Sequence, residues 1–250
     1  MPRILAGLLA VAFAAACSGP PQPRRTPPPG AKRVDQSKAG RISGRVAFEG
    51  QVPENPVADM AGHDVCAGAN KDGFNLRTFI VDNGGLDNVF VYVKDGLGNY
   101  YFDSPAEPVK VDQQGCRYVP HVFGAQVEQP IEIANSDPTM HNVSALAQAN
   151  RGFNFGQPMQ GIKNTVSFSA PEIMVRLKCD VHLWMSAYAG IVDHPYYAVT
   201  AEGGRFELKN VPAGTYTIEA WHEKLGTRTQ QVTLGENDNK EVSFTFKAPA

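Results

Sequence analysis

The chain has 250 residues, of which 42% are hydrophobic and 19% are charged. This composition is typical of a globular protein with room for one or two hydrophobic cores. The formal net charge is −2 at pH 7, and no run of Lys and Arg is longer than a pair. These values argue against the basic surface that binding to DNA or RNA requires, so we expect no nucleic-acid partner.

The first sixteen residues have the features of an export signal, because Arg3 precedes an apolar stretch that is too short for a membrane span and ends in small residues. Cys17 comes next, and the sequence AAAC resembles the lipobox of bacterial lipoproteins, in which the cysteine is acylated. An ordinary cleavage site with a free Cys17 is the alternative. In lipoproteins the following residue influences sorting, and Ser18 in place of aspartate implies the periplasmic face of the outer membrane. Residues 17–38 are rich in proline and polar residues and predict an extended, lipidated tether, with the folded part starting near Ala39.

Three cysteines are then left in the exported chain, Cys66, Cys116 and Cys179. An oxidising compartment favours disulfides, and an odd number leaves one thiol unpaired. Cys179 lies in a cluster with a histidine and a methionine, so we expect a Cys66–Cys116 disulfide and a free Cys179. Three reduced thiols, or a disulfide that includes Cys179, are the alternatives, because the pairing cannot be deduced from sequence.

Signals for β-strands recur along the rest of the chain, as short runs of β-branched and aromatic residues between Gly, Pro, Asn and Asp. No stretch has the periodicity of a long amphipathic helix. The sequence therefore predicts an all-β protein, built of sandwiches with Greek-key connections. The segments are 41–50, 87–95, 129–137, 164–170, 173–179, 204–211, 214–221 and 240–246.

One stretch, YVPHVFGAQVEQPIEIANSDPTMHNV, is followed some forty residues later by CDVHLWM. Residues 106–195, which contain both, resemble a cupredoxin, the type 1 blue-copper fold, and the two stretches look like its two ligand segments in the right order. Two residues between the loop histidine and the methionine correspond to the short, amicyanin-like form of the second segment. The resemblance implies a single copper ion with the ligands His141, Cys179, His182 and Met185. It also implies that Asn142 ties the first ligand segment to the cysteine loop.

The chemistry of these residue types supports copper independently of the resemblance. Two imidazoles and a thiolate with a weak thioether contact suit both Cu(I) and Cu(II), so the ion can change oxidation state with little rearrangement of its ligands. Taken singly, His141 is typical of a surface turn and Met185 of a hydrophobic core. Trp184 is either a surface-packing residue or part of an apolar collar around an exposed edge of His182, where a partner would dock.

The other four histidines have no cysteine, carboxylate or second histidine at metal-binding spacing. We expect them to be hydrogen-bonded or solvated. They are His63, His121, His194 and His222.

The C-terminal stretch AVTAEGGRFELKNVPAGTYTIEAWHEKLG resembles a transthyretin-like or carboxypeptidase regulatory-like β-sandwich. That family begins with two strands like ISGRVAFEG and LDNVFVYVKD, which occur far upstream. The resemblance therefore implies a discontinuous sandwich of residues 40–100 plus 196–248, with the cupredoxin inserted at 106–195. The alternative is three consecutive units, the first being 40–105. Segment 51–80 is too long for a compact sandwich loop, and we assign it no place.

These features predict a membrane-tethered periplasmic copper protein that carries single electrons between redox partners, such as a cytochrome c, through the His182 edge. The alternative is a structural lipoprotein that stores or delivers copper, or that binds carbohydrate or protein. No Ser-His-acid or paired-carboxylate arrangement stands out, so we do not expect an enzyme.

Overall fold

The computed structural model describes residues 26–249. The predicted signal segment 1–16, the lipidation site Cys17 and the tether residues 18–25 lie outside this range. Within it, no helix is long and apolar enough to cross a membrane.

Strands dominate the described chain, and its α-helix, α1, spans only Asp64–Ala69. The strands are β1 (Gly40–Glu49), β2 (Val81–Asp82), β3 (Gly85–Leu86), β4 (Phe90–Asp95), β5 (Val109–Gln113), β6 (Tyr118–Val119), β7 (Val122–Gln126), β8 (Ile131–Asn135), β9 (His141–Leu146), β10 (Asn154–Gln157), β11 (Lys163–Val166), β12 (Glu172–Lys178), β13 (Ser186–Val192), β14 (Tyr197–Val199), β15 (Arg205–Val211), β16 (Gly214–His222), β17 (Gly226–Leu234) and β18 (Asn239–Lys247). The predicted all-β class is confirmed.

These strands form four sheets, which pack as two sandwiches. The first sandwich pairs the sheet β15-β1-β3-β2, in which β18 also joins β1, with the sheet β14-β4-β16-β17. The second pairs β10-β9-β12-β13-β7 with β11-β8-β5-β6. The strands of the first sandwich thus come from both ends of the described chain, and those of the second come from the middle.

Some strands alternate strictly between buried and exposed residues. In β18, Val242, Phe244 and Phe246 are buried in the core of the first sandwich while the residues between them are exposed, as expected for a strand with one face on a core. Strand β4 is different, because Phe90–Val93 are all buried. Val91 and Val93 face the core of the first sandwich, whereas Phe90 and Tyr92 pack on the second.

Segment 51–80 crosses from one sandwich to the other, which the sequence did not indicate. It leaves β1 and packs on the second sandwich, where Cys66 and Met60 join the hydrophobic core. The Asn70 side chain donates hydrogen bonds to the carbonyls of Cys66 and Gly115, at 2.9 and 3.1 Å. We call residues 51–80 the cap.

The folded part begins before Ala39. Lys32 exchanges backbone hydrogen bonds with Asn99 and Tyr101 at 2.9 Å, and Arg33 forms an ion pair with Asp103 at 2.7 Å. The second half of the predicted tether therefore lies against the fold instead of extending freely from it.

Gly190 is expected to be essential for the close packing of the two sandwiches. A Cβ atom at this position would lie 2.3 Å from the ring of Phe90, whose side chain is fully buried. We predict that Gly190→Ala lowers the free energy of unfolding by about 1 to 3 kcal/mol, because the ring has no free space to move into. Chemical denaturation measures the change.

Gly156→Ala is the matched control in the same sheet, since its Cβ would meet only the end of Met140 at 3.7 Å. It should leave the free energy of unfolding within about 1 kcal/mol of the wild type. Equal stability of the two variants would contradict the packing role of Gly190.

Candidate metal centre

Three of the predicted ligands meet at one end of the second sandwich. His141 is the first residue of β9, Cys179 directly follows β12, and His182 lies in the turn before β13. Because β9 pairs with β12, and β12 with β13, these positions are neighbours. The Nδ1 atoms of His141 and His182 are 2.9 Å apart, and Cys179 Sγ is 3.8 Å from His182 Nδ1.

The three donor atoms all lie within 4.8 Å of one another, so one metal ion could bind all of them. None of the three residues is more than 2% exposed. The arrangement is therefore a closed site in the protein interior.

The fourth predicted ligand, Met185, lies on the same loop. The N–H of Cys179 donates to the carbonyl of Met185 at 3.2 Å, and the N–H of Met185 donates to the carbonyl of His182 at 2.9 Å. These two bonds fold the loop back on itself. The Met185 side chain is buried in the core cluster that includes Cys179.

Asn142 links the two ligand segments. Its backbone N–H points at Cys179 Sγ, 3.5 Å away, and its side chain donates to Asp180 at 3.0 Å and to Asn154 at 2.9 Å. A second backbone N–H, from His182, approaches the same sulfur at 3.4 Å. The loop is thus held by side-chain and backbone hydrogen bonds around the sulfur.

Sequence reasoning missed Asp137, which orients the first histidine. His141 Nε2 lies 2.9 Å from Asp137 Oδ2, and the backbone N–H groups of Gly115 and Cys116 donate to the same carboxylate, both at 2.7 Å. A proton on Nε2 leaves Nδ1 free to bind a metal, which is the usual task of a carboxylate behind a ligating histidine. The spacing of four residues in DPTMH was the available signal.

The environment favours the thiolate form of Cys179. Burial raises the pKa of the thiol, but hydrogen bonds to His141 and His182 and two backbone N–H groups outweigh it, so the pKa falls to about 5. A thiolate is the form that binds metals. The site therefore offers the sulfur in the form that binds metals, beside one nitrogen from each of two histidines.

Cys66 and Cys116 form a disulfide that fastens the cap beside this site. Their sulfurs lie within 4.8 Å of a His182 nitrogen, but as a disulfide they are not thiolate ligands. The Trp184 indole N–H donates to the carbonyl of Cys116 at 3.0 Å. The ring of His63, from the cap, lies 4.8 Å from the ring of His182 and 5.1 Å from that of Trp184.

The prediction that one edge of the His182 ring is exposed is therefore wrong, since this residue is only 2% exposed. The cap covers it, and no pattern in residues 51–80 indicates where the cap packs. The exposed apolar residues of the loop are Val181, at 36%, and Leu183, at 80%.

The remaining histidines make hydrogen bonds elsewhere. His121 pairs with Glu223 at 2.6 Å, and His222 contacts the carbonyl of Thr78 at 3.1 Å. His194 Nδ1 accepts the N–H of Tyr196 at 3.2 Å.

Comparison with known proteins finds both resemblances, each over part of the chain. Residues 190–247 match the carboxypeptidase regulatory-like domain. No curated protein sequence matches this chain.

Among solved structures, the chain is similar to three copper proteins. A Cu-containing nitrite reductase from Thermus scotoductus SA-01 is 19% identical, with a TM-score of 0.33 over 35% of this chain and only 23% of the reductase. A mutant of amicyanin in the Cu(I) form is 17% identical, with a TM-score of 0.30 over 34% of this chain and 81% of amicyanin. A purple cupredoxin from Nitrosopumilus maritimus is 15% identical, with a TM-score of 0.28 over 33% of this chain and 98% of the cupredoxin.

Removing the disulfide should release the cap. We predict that the double variant Cys66→Ser, Cys116→Ser loses about 2 to 4 kcal/mol in the free energy of unfolding, because the unfolded chain is no longer cross-linked. Limited proteolysis should then cleave the variant faster than the wild type within residues 51–80.

Cys179→Ser is the matched control, since it replaces a buried cysteine but leaves the disulfide intact. Its cap should resist protease as the wild type does. Unchanged cleavage of the double variant would show that the disulfide does not hold the cap.

Proposed function

We propose that this protein is a type 1 copper protein that carries single electrons between redox partners. The observation that carries the proposal is the buried group of one thiolate and two imidazoles, His141, Cys179 and His182. Copper bound by such a set supplies a one-electron couple between Cu(II) and Cu(I). A lipid on Cys17 would tether the protein to the periplasmic face of the outer membrane.

The donor set fits copper in chemical terms. Thiolate and thioether sulfur suit Cu(I), and imidazole suits Cu(II), so a site with both types tolerates either state. The group His141, Cys179 and His182 contains no carboxylate. Met185, on the same loop, is the candidate for the weak thioether contact.

The surrounding residues keep this donor set in one arrangement. Asp137 fixes the His141 ring, and Asn142 joins β9 to the loop that bears Cys179. Two backbone N–H groups next to Cys179 Sγ stabilise negative charge on the sulfur. A rigid set of ligands favours electron exchange, because little rearrangement accompanies the change of charge.

Burial of the site favours a carrier over a protein that stores or delivers copper. Delivery requires a metal that an acceptor can reach, whereas His182 is covered by His63 and the disulfide. We propose that a partner such as a periplasmic cytochrome c docks over the cap and Leu183, and that electrons pass between His182 and the partner through the region of His63.

Copper loading tests the ligands. The purified protein should bind one copper ion per chain and show an intense thiolate-to-copper charge-transfer band in its visible absorption spectrum, because the band requires a short bond between Cu(II) and sulfur. Cys179→Ser should abolish the band. His194→Gln, which replaces a buried histidine away from the site, should keep it, and a coloured Cys179→Ser variant would refute the assignment.

Met185→Gln tests electron transfer. Oxygen is a harder donor than sulfur and favours Cu(II), so we predict a lower reduction potential with the charge-transfer band retained. Voltammetry measures the potential, and the rate of electron exchange with a cytochrome c should change in step with it. Met159→Gln, at a position 66% exposed, is the control and should leave the potential unchanged.

The delivery alternative has the opposite signature. If the wild-type protein loses its copper to a competing chelator within seconds and shows no reversible electron exchange by voltammetry, the carrier proposal fails.

A further inference from the structure

A pocket of about 420 Å³ lies beside the loop that carries His182 and Met185. Its wall comes from three parts of the fold. The cap contributes Phe74 and Arg77. The second sandwich contributes Arg117, Arg176 and the loop residues Leu183 and Trp184. The turn after β16 contributes Glu223 and Lys224. The volume falls within the roughly 300 to 1,000 Å³ typical of small-molecule sites.

Positive charge dominates this pocket. Within residues 26–249, none of the four cations in the wall, Arg77, Arg117, Arg176 and Lys224, forms an ion pair with a carboxylate. The carboxylate in the wall, Glu223, is already bound to His121 at 2.6 Å. A concave site with unpaired cations favours an anionic ligand.

Arg117 is held ready for such a ligand. Its guanidinium lies 4.1 Å from the centre of the Phe74 ring, and its Nη2 donates to Asn70 Oδ1 at 3.0 Å. Burial lowers the pKa of Arg117, and the positive charge of Arg77 adds to the effect. Like charges repel each other, and an anion bound between them relieves the repulsion.

The backbone of Arg77 is held by a local hydrogen bond. Its φ of 55° lies in the left-handed region, which is unfavourable for an arginine. The conformation is maintained because the N–H of Arg77 donates to the side chain of Asn75 at 2.8 Å.

The remaining wall combines polar residues, such as Asn75, Thr78 and Ser186, with apolar and aromatic ones. Trp184 is half-buried, and Leu183 is 80% exposed. Tyr188 and Phe74 provide two further rings. The ring faces could contact a flat apolar group that an inorganic anion lacks.

We propose that the pocket binds a small organic carboxylate with a flat apolar body. Arg117 and Arg77 hold the carboxylate, for which the guanidinium fork is well matched, and Trp184 and Phe74 contact the apolar part. Since Leu183 and Trp184 belong both to the pocket and to the loop of His182 and Met185, the ligand touches the metal-binding loop.

Calorimetric titration with sodium benzoate tests this site in the purified protein without added metal. We expect benzoate to bind and the neutral analogue benzamide not to bind. Arg117→Gln should weaken benzoate binding at least about tenfold, because a charge-assisted hydrogen bond is lost. Arg151→Gln removes an exposed arginine outside the pocket and should leave the affinity unchanged.

The indole N–H signal of Trp184 in NMR spectra should shift on addition of benzoate. Should Arg117→Gln fail to fold, Arg176→Gln provides the same comparison at an exposed position of the wall, and should weaken binding several-fold.

Three results would overturn the proposal. They are equal binding of benzamide and benzoate, equal affinity of the arginine variants and the wild type, and binding of inorganic phosphate as tight as that of benzoate. The titration needs no copper, so its outcome is independent of the blue-copper experiments.

Discussion

The sulfur of Cys179, in a residue 1% exposed whose surroundings favour the thiolate, is the feature on which the candidate metal centre depends. An isolated buried charge is unfavourable by several kcal/mol or more, so it persists only where hydrogen bonds and opposite charge replace the lost water. Here the replacements come from two imidazoles and from the backbone N–H groups of Asn142 and His182. Each of these groups must in turn be held in position by other residues, so the stability of the thiolate depends on contacts further from the sulfur.

Asp137 is one of the residues that hold these groups in position. One carboxylate accepts hydrogen bonds from the ring of His141 and from the backbone of Cys116, which is itself bonded to the cap through Cys66. The orientation of a candidate metal-binding histidine and the attachment of the cap are therefore parts of one network.

The parts of this architecture that depend on local patterns could be predicted from the sequence. Alternating residues in β18 indicate a strand with one buried face, and the spacing of Cys179, His182 and Met185 indicates a turn that points several donors to one place. The position of the cap could not be predicted, because residues 51–80 lack a periodic pattern and their contacts are set by distant segments. The pocket could not be predicted from the sequence for the same reason, since its arginines come from separate parts of the chain. Asp137 could be predicted only in part, because its spacing from His141 is visible in the sequence but its hydrogen bond to that ring depends on the fold.

Strand β4 has a consequence for how this chain can be divided. With Val91 and Val93 in one core and Phe90 and Tyr92 against the other sandwich, each half uses the same strand as a wall. Cutting out residues 106–195 would uncover the surface around Val122 and Val192, and would leave Cys116 without the cysteine to which it is bonded. A fragment that contains only residues 106–195 therefore lacks contacts that the second sandwich needs. Transfer of this unit to another protein would have to include β4 and the cap.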